Sequence, residues 1–186
     1  MRLKHRALRT LGLTPWALCA WCLAGAVSAA APGPAATGVF ALVAQPASDF
    51  ALPAAVGGNV RLSEYLGQPV VLSFWSSRCS LCAAQLSALN RYYGTYRSAG
   101  LIVLAVSVED DPQRAIDYAR AHATSYPLLL DRAKSVGRAY GIERLPTTVL
   151  IDRSGVVRYV HSDDRAGDAS YVAQIRALLD DKPGAQ

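Results

Sequence analysis

Apolar and polar residues follow one another in blocks along this chain, and the period of the pattern changes from block to block. Short runs rich in β-branched and aromatic residues predict strands over 59–62, 70–75, 101–107, 127–130, 147–151 and 156–160, the first of them weakly. Segments with apolar residues three and four apart predict helices over 80–98, 112–122, 133–140 and 168–179. In the first of these helices Cys82, Leu86, Leu89, Tyr93 and Tyr96 form one core-facing stripe, slightly weakened by Gly94. Asp111 followed by Pro112 supplies a cap and a proline suited to the first helical turn. Strands alternating with helices imply an α/β fold with a largely parallel sheet between helical layers. The last two strands are joined only by Asp152-Arg153-Ser154-Gly155, too short for a crossover, so they must form an antiparallel hairpin at one side.

Ahead of these blocks the pattern is different. Arg2, Lys4, Arg6 and Arg9 precede the apolar run LGLTPWALCAWCLAGAVSAAA, in which Val27 and Ala29 occupy the −3 and −1 positions of a small-residue cleavage site. This layout predicts a secretory signal peptide over 1–29. A retained transmembrane anchor is the alternative, because about 20 apolar residues can span a bilayer. In either case the basic flank stays inside and the domain lies outside the cytoplasm, soluble after cleavage or anchored by the N-terminal segment in a periplasmic or similar compartment. Residues 30–48, rich in Ala, Gly and Pro, read as a linker, 49–180 as the domain, and 181–186 as a C-terminal tail.

At 186 residues the chain has room for one domain with a proper core. Four of its basic residues lie in the first ten positions and no acidic residue appears before Asp49. The formal charge of +5 therefore belongs mostly to the N-terminal segment and gives no reason to expect a nucleic-acid partner. The four cysteines form two pairs of equal spacing. Cys19 and Cys22 lie within the apolar run and are expected to leave with it. Cys79 and Cys82 remain, in a compartment where disulfides persist.

The stretch WSSRCSLC, Trp75 to Cys82, places that pair between a buried strand and an amphipathic helix. A thiol at a helix start is favoured as thiolate by unpaired backbone N–H groups and the helix dipole. Arg78, directly before Cys79, should lower the thiol pKa further. Cys79 is thus expected to be the nucleophile toward disulfides of other proteins, and Cys82, on the buried stripe, the thiol that resolves the mixed disulfide. Ser80 and Leu81 between them tune the potential. A structural zinc site needs four ligands, while His122 and His161 stand in unrelated elements, so no metal is expected. A purely structural disulfide closing so short a loop would stabilise little. The chemistry calls for no cofactor. In RLPTTVLID, Arg144 to Asp152, Pro146 immediately precedes a strand, where X-Pro is the bond that can be cis, although trans is the ordinary form.

With these residues in view, the chain resembles the thioredoxin superfamily, in particular the exported TlpA/ResA-like thiol–disulfide oxidoreductases. The resemblance runs from about Pro46 to Leu179. It is carried by ASDFALPAAVGGNVRLSEYLGQPVVLSFW, WSSRCSLC, LIVLAVSVED and YGIERLPTTVLIDRSGVVRYV. It implies a thioredoxin fold, a central mixed sheet flanked by helices. To this are added an N-terminal β-hairpin, matching 50–62, and a central helix-strand insertion, matching 112–130. It further implies that Pro146 is cis and faces Cys79 and Cys82, that Leu145 offers backbone hydrogen bonds to a docked peptide, and that Trp75 is the aromatic residue beside the site. Implied partners are protein thiol or disulfide substrates and a membrane electron-donor protein. Implied roles are reduction of cytochrome c haem-binding cysteines or of copper-site cysteines in respiratory assembly.

The chain also departs from the family. Leu81 stands where a proline is usual, Arg78 replaces an aromatic residue, and Gln85 replaces a buried glutamate three residues after the second cysteine. Ser73 stands where thioredoxin itself has an aspartate. Neither familiar acceptor for the Cys82 proton is present, because a glutamine cannot act as a general base. Glu143 is the nearest acidic candidate in sequence and reads better as a surface charge. Thr147 follows the proline where the cytochrome-specific branch has an acidic residue, which favours a general role.

Two other classes compete. Peroxiredoxins share the lead-in, but want a P-x-x-x-T-x-x-C pattern, whereas the approach to Cys79 through Trp75 and Ser76 holds no such Pro or Thr. A non-catalytic dithiol could hold Cu(I), for which two thiolates suffice. Tyr92, Tyr93, Tyr96, Tyr118 and Tyr140 sit mostly at helical spacing and read as core or core edge.

Overall fold

The structure, a computed structural model, describes residues 38–162 and 169–181. A five-stranded mixed sheet runs through it. Its strands are β3 (Val70–Trp75), β4 (Ile102–Ser107), β5 (Leu128–Leu130), β6 (Thr147–Ile151) and β7 (Val157–His161), in the order β5-β4-β3-β6-β7. Strands β3, β4 and β5 are parallel, while β6 runs antiparallel to both β3 and β7. The helices are α1 (Cys82–Tyr96), α2 (Pro112–Ala121), α3 (Ser135–Ala139) and α4 (Ala169–Asp180). An antiparallel hairpin of β1 (Ala51–Pro53) and β2 (Asn59–Arg61) precedes the sheet. It continues onto the exposed edge of β5 through an Ala54–Leu129 bridge, which shields that edge from other chains.

Strand β3 is buried on both faces because it lies at the centre of the sheet. Its period-two alternation divides the core. Val71 and Trp75 face Leu86 and Leu89 of α1, Ala115 of α2, and Tyr171 and Ile175 of α4. Val70, Leu72 and Phe74 face Val39, Val136 and Tyr140 on the other side. The cap read at Asp111 is present, its side chain accepting from the Gln113 N–H at 3.0 Å. The β6–β7 turn is organised by buried Asp152, which accepts from the N–H groups of Ser154 and Val156, each at 2.9 Å, and from Arg158 Nε.

Residues 38–48 correct the linker reading. Gly38–Leu42 form a 3-10 helix that buries Val39 in the core. The following residues pair with β7, through Ala44 N–H to Val157 O at 2.8 Å and Val157 N–H to Gln45 O at 2.9 Å. The Tyr140 hydroxyl donates to Ser48 O at 2.7 Å. Backbone pairing with few apolar side chains leaves little periodicity to read, so an Ala- and Pro-rich edge segment looks like a tether. Gly38 and Gly141, with φ of +61° and +60°, let two backbones touch here. A Cβ on Gly141 would lie 2.9 Å from the Gly38 carbonyl carbon.

Helix α3 is shorter than the pattern over 133–140 predicted. Buried Asp131 ends the loop before it by accepting the N–H groups of Ser135 at 2.9 Å and Gly137 at 2.8 Å. No helix among the described residues is long and apolar enough to cross a membrane. The expected signal peptide or anchor, with Cys19 and Cys22, and tail residues 182–186 lie outside the described residues.

Candidate functional site

Cys79 and Cys82 are joined in a disulfide, with Cα atoms 5.3 Å apart. Helix α1 begins at Cys82, with Leu81 as N-cap. Cys79 therefore sits one turn ahead of the helix rather than within its first turn, and its carbonyl accepts the Cys82 N–H at 3.2 Å. The two sulfurs differ in surroundings: Cys82 is fully buried in the cluster that contains Trp75, Leu86 and Leu89, whereas Cys79 is partly exposed. Ser80 and Arg78 are exposed beside it, and Leu81 turns an apolar side chain that is 44% exposed toward solvent.

The Leu145–Pro146 peptide is cis. The antiparallel register pairs Phe74 with Thr147, which sets this peptide at the same end of the sheet as the turn that carries Cys79. Leu145 and Cys79 pack against the same buried cluster. Trp75 lies wholly beneath the surface, its ring stacked on Tyr118 at 5.5 Å between centroids. It belongs to the same buried cluster as Cys82.

Behind Cys82 lies a buried polar group of Gln85, Thr148 and Ser73. Gln85, 1% exposed, donates from Nε2 to Thr148 Oγ1 at 2.6 Å, and Thr148 donates onward to Ser73 Oγ at 3.4 Å. Gln85 Oε1 has no hydrogen-bond partner among the described residues. It is one helical turn from Cys82 on the buried side of α1. Glu143, the acidic candidate nearest in sequence, is exposed.

One carboxylate of the site was missed from the sequence. Glu109 is 6% exposed, and its Oε1 accepts from Ser76 Oγ at 2.8 Å, the Ser77 N–H at 2.7 Å and Ser77 Oγ at 2.6 Å. Parallel pairing continues past the strands through the Val108 N–H to Trp75 O at 3.1 Å, and this delivers Glu109 to the turn before Cys79. Burial raises the pKa of its carboxyl, but the Ser77 and Ser76 hydrogen bonds and the charge of Arg78 outweigh it and hold it below the ordinary value. The field of Arg78 also lowers Asp110, after the larger effect of Lys134. The charge read as a partner for the Cys79 thiolate thus acts on two carboxylates as well. The clue in the sequence was an acid two residues beyond a strand that must lie beside the cysteine strand. Among the described residues no three His, Cys, Asp or Glu side chains are grouped to hold a metal ion.

A mixed sheet between helices, a disulfide at the carboxyl end of a central parallel strand and a cis proline facing the same end define a redox protein of the thioredoxin fold. The chain belongs to the AhpC/TSA family, whose family model matches residues 43–160. It is similar to the thiol-disulfide oxidoreductase ResA of Geobacillus thermodenitrificans, 35% identical over 118 residues that cover 63% of this chain and 68% of that one. In structure it resembles a Chlorobium tepidum protein assigned as the thiol:disulfide interchange protein DsbE, at 32% identity and a TM-score of 0.69, covering 72% of this chain and 95% of the other. It also resembles peroxidoxin BcpB of Mycobacterium tuberculosis, at 25% identity and a TM-score of 0.64, covering 73% and 97%. Fold and relatives together make the chain a thiol–disulfide oxidoreductase.

Proposed function

We propose that the chain reduces disulfides of other proteins outside the cytoplasm, with Cys79 as nucleophile and Cys82 as resolving thiol. The observation that carries this reading is the asymmetry of the pair, an accessible outer sulfur and a fully buried inner one beside a cis proline. In the reduced protein the Cys79 thiolate attacks a substrate disulfide, forming a mixed disulfide and releasing one substrate thiolate. The Cys82 thiolate then attacks Cys79 Sγ, which frees the second substrate thiol and leaves the Cys79–Cys82 disulfide. Two electrons pass to the substrate, and a reduced partner protein, in this reading one held in the membrane, must return them. Leu145 would offer its backbone to the docked segment.

The export reading rests on the sequence of 1–29. Cytochrome c and respiratory metal-site cysteines are the substrate classes suggested by the resemblance. A prereduced sample is expected to reduce insulin, with precipitation followed by turbidity, and Cys79→Ser to abolish this; activity that survives the change would end the proposal. The family match and the peroxidoxin neighbour favour a peroxidase as second reading. Turnover of hydrogen peroxide at a rate above that with protein disulfides would select it.

Gln85 bears on the rate. With an amide where a base is needed, resolution by Cys82 must await deprotonation by solvent. Gln85→Glu is expected to speed release from a preformed mixed disulfide by about tenfold near pH 7 and to flatten its pH dependence between about pH 6 and about pH 9. Equal rate profiles for the two proteins would rule out this role of the residue.

A further inference from the structure

We propose that a cleft beside Leu145 receives an acidic side chain of the substrate protein, carried next to its reacting cysteine. The proposal rests on the reductant reading above and narrows its substrates. The cleft has a volume of about 260 Å³ and an apolar floor of Val108, Ile142 and Leu145. Val108 immediately precedes Glu109, and Leu145 immediately precedes the cis proline, so the cleft lies between the two segments that frame the disulfide end of the sheet. A chain docked along Leu145 toward Cys79 has this cleft beside it.

The rim is cationic. Lys134, Arg138 and Arg144 line it, with Glu143 as the single carboxylate. Lys134 is engaged by Asp110 at 2.9 Å. The Glu143 carboxylate lies against the backbone of residue 38, with Oε1 3.2 Å from where a Gly38 Cβ would be. Arg138 and Arg144 are exposed, and neither side chain has an acidic partner among the described residues. Four of the five units of formal net charge lie in the first ten residues, so the rest of the chain is close to balanced and a cluster of unpaired arginines at this end is a local feature. Asp131 fixes the short helix that carries Arg138 by holding the N–H groups of Ser135 and Gly137. Two guanidinium groups above an apolar floor suit a glutamate or aspartate side chain, whose carboxylate they can grip in a forked geometry while its methylenes cover the floor. Charge pairs at such a rim act mainly on association and weaken with salt.

The test uses the prereduced full chain and two disulfide-containing peptides that differ only in having Glu or Lys beside the cysteine. Reduction of the Glu peptide is expected to show a kcat/KM about fivefold higher at low salt, as two exposed charge pairs would give. The preference should fall to within about twofold at roughly 0.5 M salt, and likewise in an Arg138→Ala/Arg144→Ala double variant. A neutral small disulfide, 2-hydroxyethyl disulfide, should be reduced equally by wild type and variant. Equal rates for the two peptides with wild type, or a preference that survives in the variant, would overturn the proposal while leaving the reductant reading standing. No reduction of either peptide or of insulin by wild type would overturn that reading, and this proposal with it.

Discussion

A Cys82→Ser protein, reduced and mixed with a disulfide-containing protein, is expected to stop halfway. Cys79 remains free to attack, but the buried position one turn inward holds a hydroxyl that cannot displace the bond just formed. Turnover should fall at least about a hundredfold, since the two sulfurs act as a unit. A covalent adduct sensitive to reductant should accumulate in its place, visible on a non-reducing gel and by intact mass. Cys79→Ser should give neither turnover nor adduct. The contrast follows from burial: Cys82 is fully buried in the cluster that holds Trp75, Leu86 and Leu89, whereas Cys79 is partly exposed. An adduct formed equally well by Cys79→Ser would reverse the assignment of the two roles.

Loss of the Glu109 side chain is expected to have a large effect although it lies outside the cysteine pair. In Glu109→Leu the hydroxyls of Ser76 and Ser77 and the Ser77 N–H lose their common acceptor. Stranding buried donors costs roughly 1–3 kcal/mol each where water cannot reach them, so a total of about 3 kcal/mol is expected, read as a shift in the urea midpoint. Glu109→Gln keeps one acceptor oxygen and should recover about half of that loss. Because Glu109 acts through the turn, alkylation of Cys79 against pH should also shift in Glu109→Leu and return toward wild type in Glu109→Gln. A purely structural role would leave that profile in place.

The same carboxylate sets an acid limit. Its folded pKa lies below the ordinary 4.5, so its contribution is fully present above about that pH and is lost as pH falls through the depressed value. Asp152 has the same sign: burial raises it, but hydrogen bonds from Ser154 and Val156 and the Arg158 charge lower it further. Urea titrations of the wild type should therefore show stability declining below about pH 4, with a shallower decline in Glu109→Gln.

Much of this arrangement was legible in the chain. Strands β3 and β6 occupy the residues that their continuous apolar runs indicated, and the Cys82, Leu86, Leu89 stripe faces the core as its spacing required. The stripe ends in half-buried Tyr93 and Tyr96. Strand β1 was invisible to periodicity because it has three residues and buries only Leu52. Residues 38–48 were hidden because their order comes from backbone pairing. Glu109 was missed for a third reason. Its partners are Ser76 and Ser77, 33 and 32 residues away, and nothing local marks it; only the side-by-side register of β3 and β4 brings them together. A search confined to the surroundings of the C-x-x-C motif finds Gln85 and Ser73 and concludes that the site has no carboxylate. The fold supplies one from the neighbouring strand, aimed at the turn rather than at the inner sulfur.

That placement makes the motif a poor module to move on its own. The turn ahead of Cys79 is held by an acceptor that belongs to the end of the neighbouring strand, brought there by the β3–β4 pairing. The segment from Trp75 to Cys82 grafted into another sheet would carry both sulfurs but leave behind the carboxylate that orders Ser76 and Ser77.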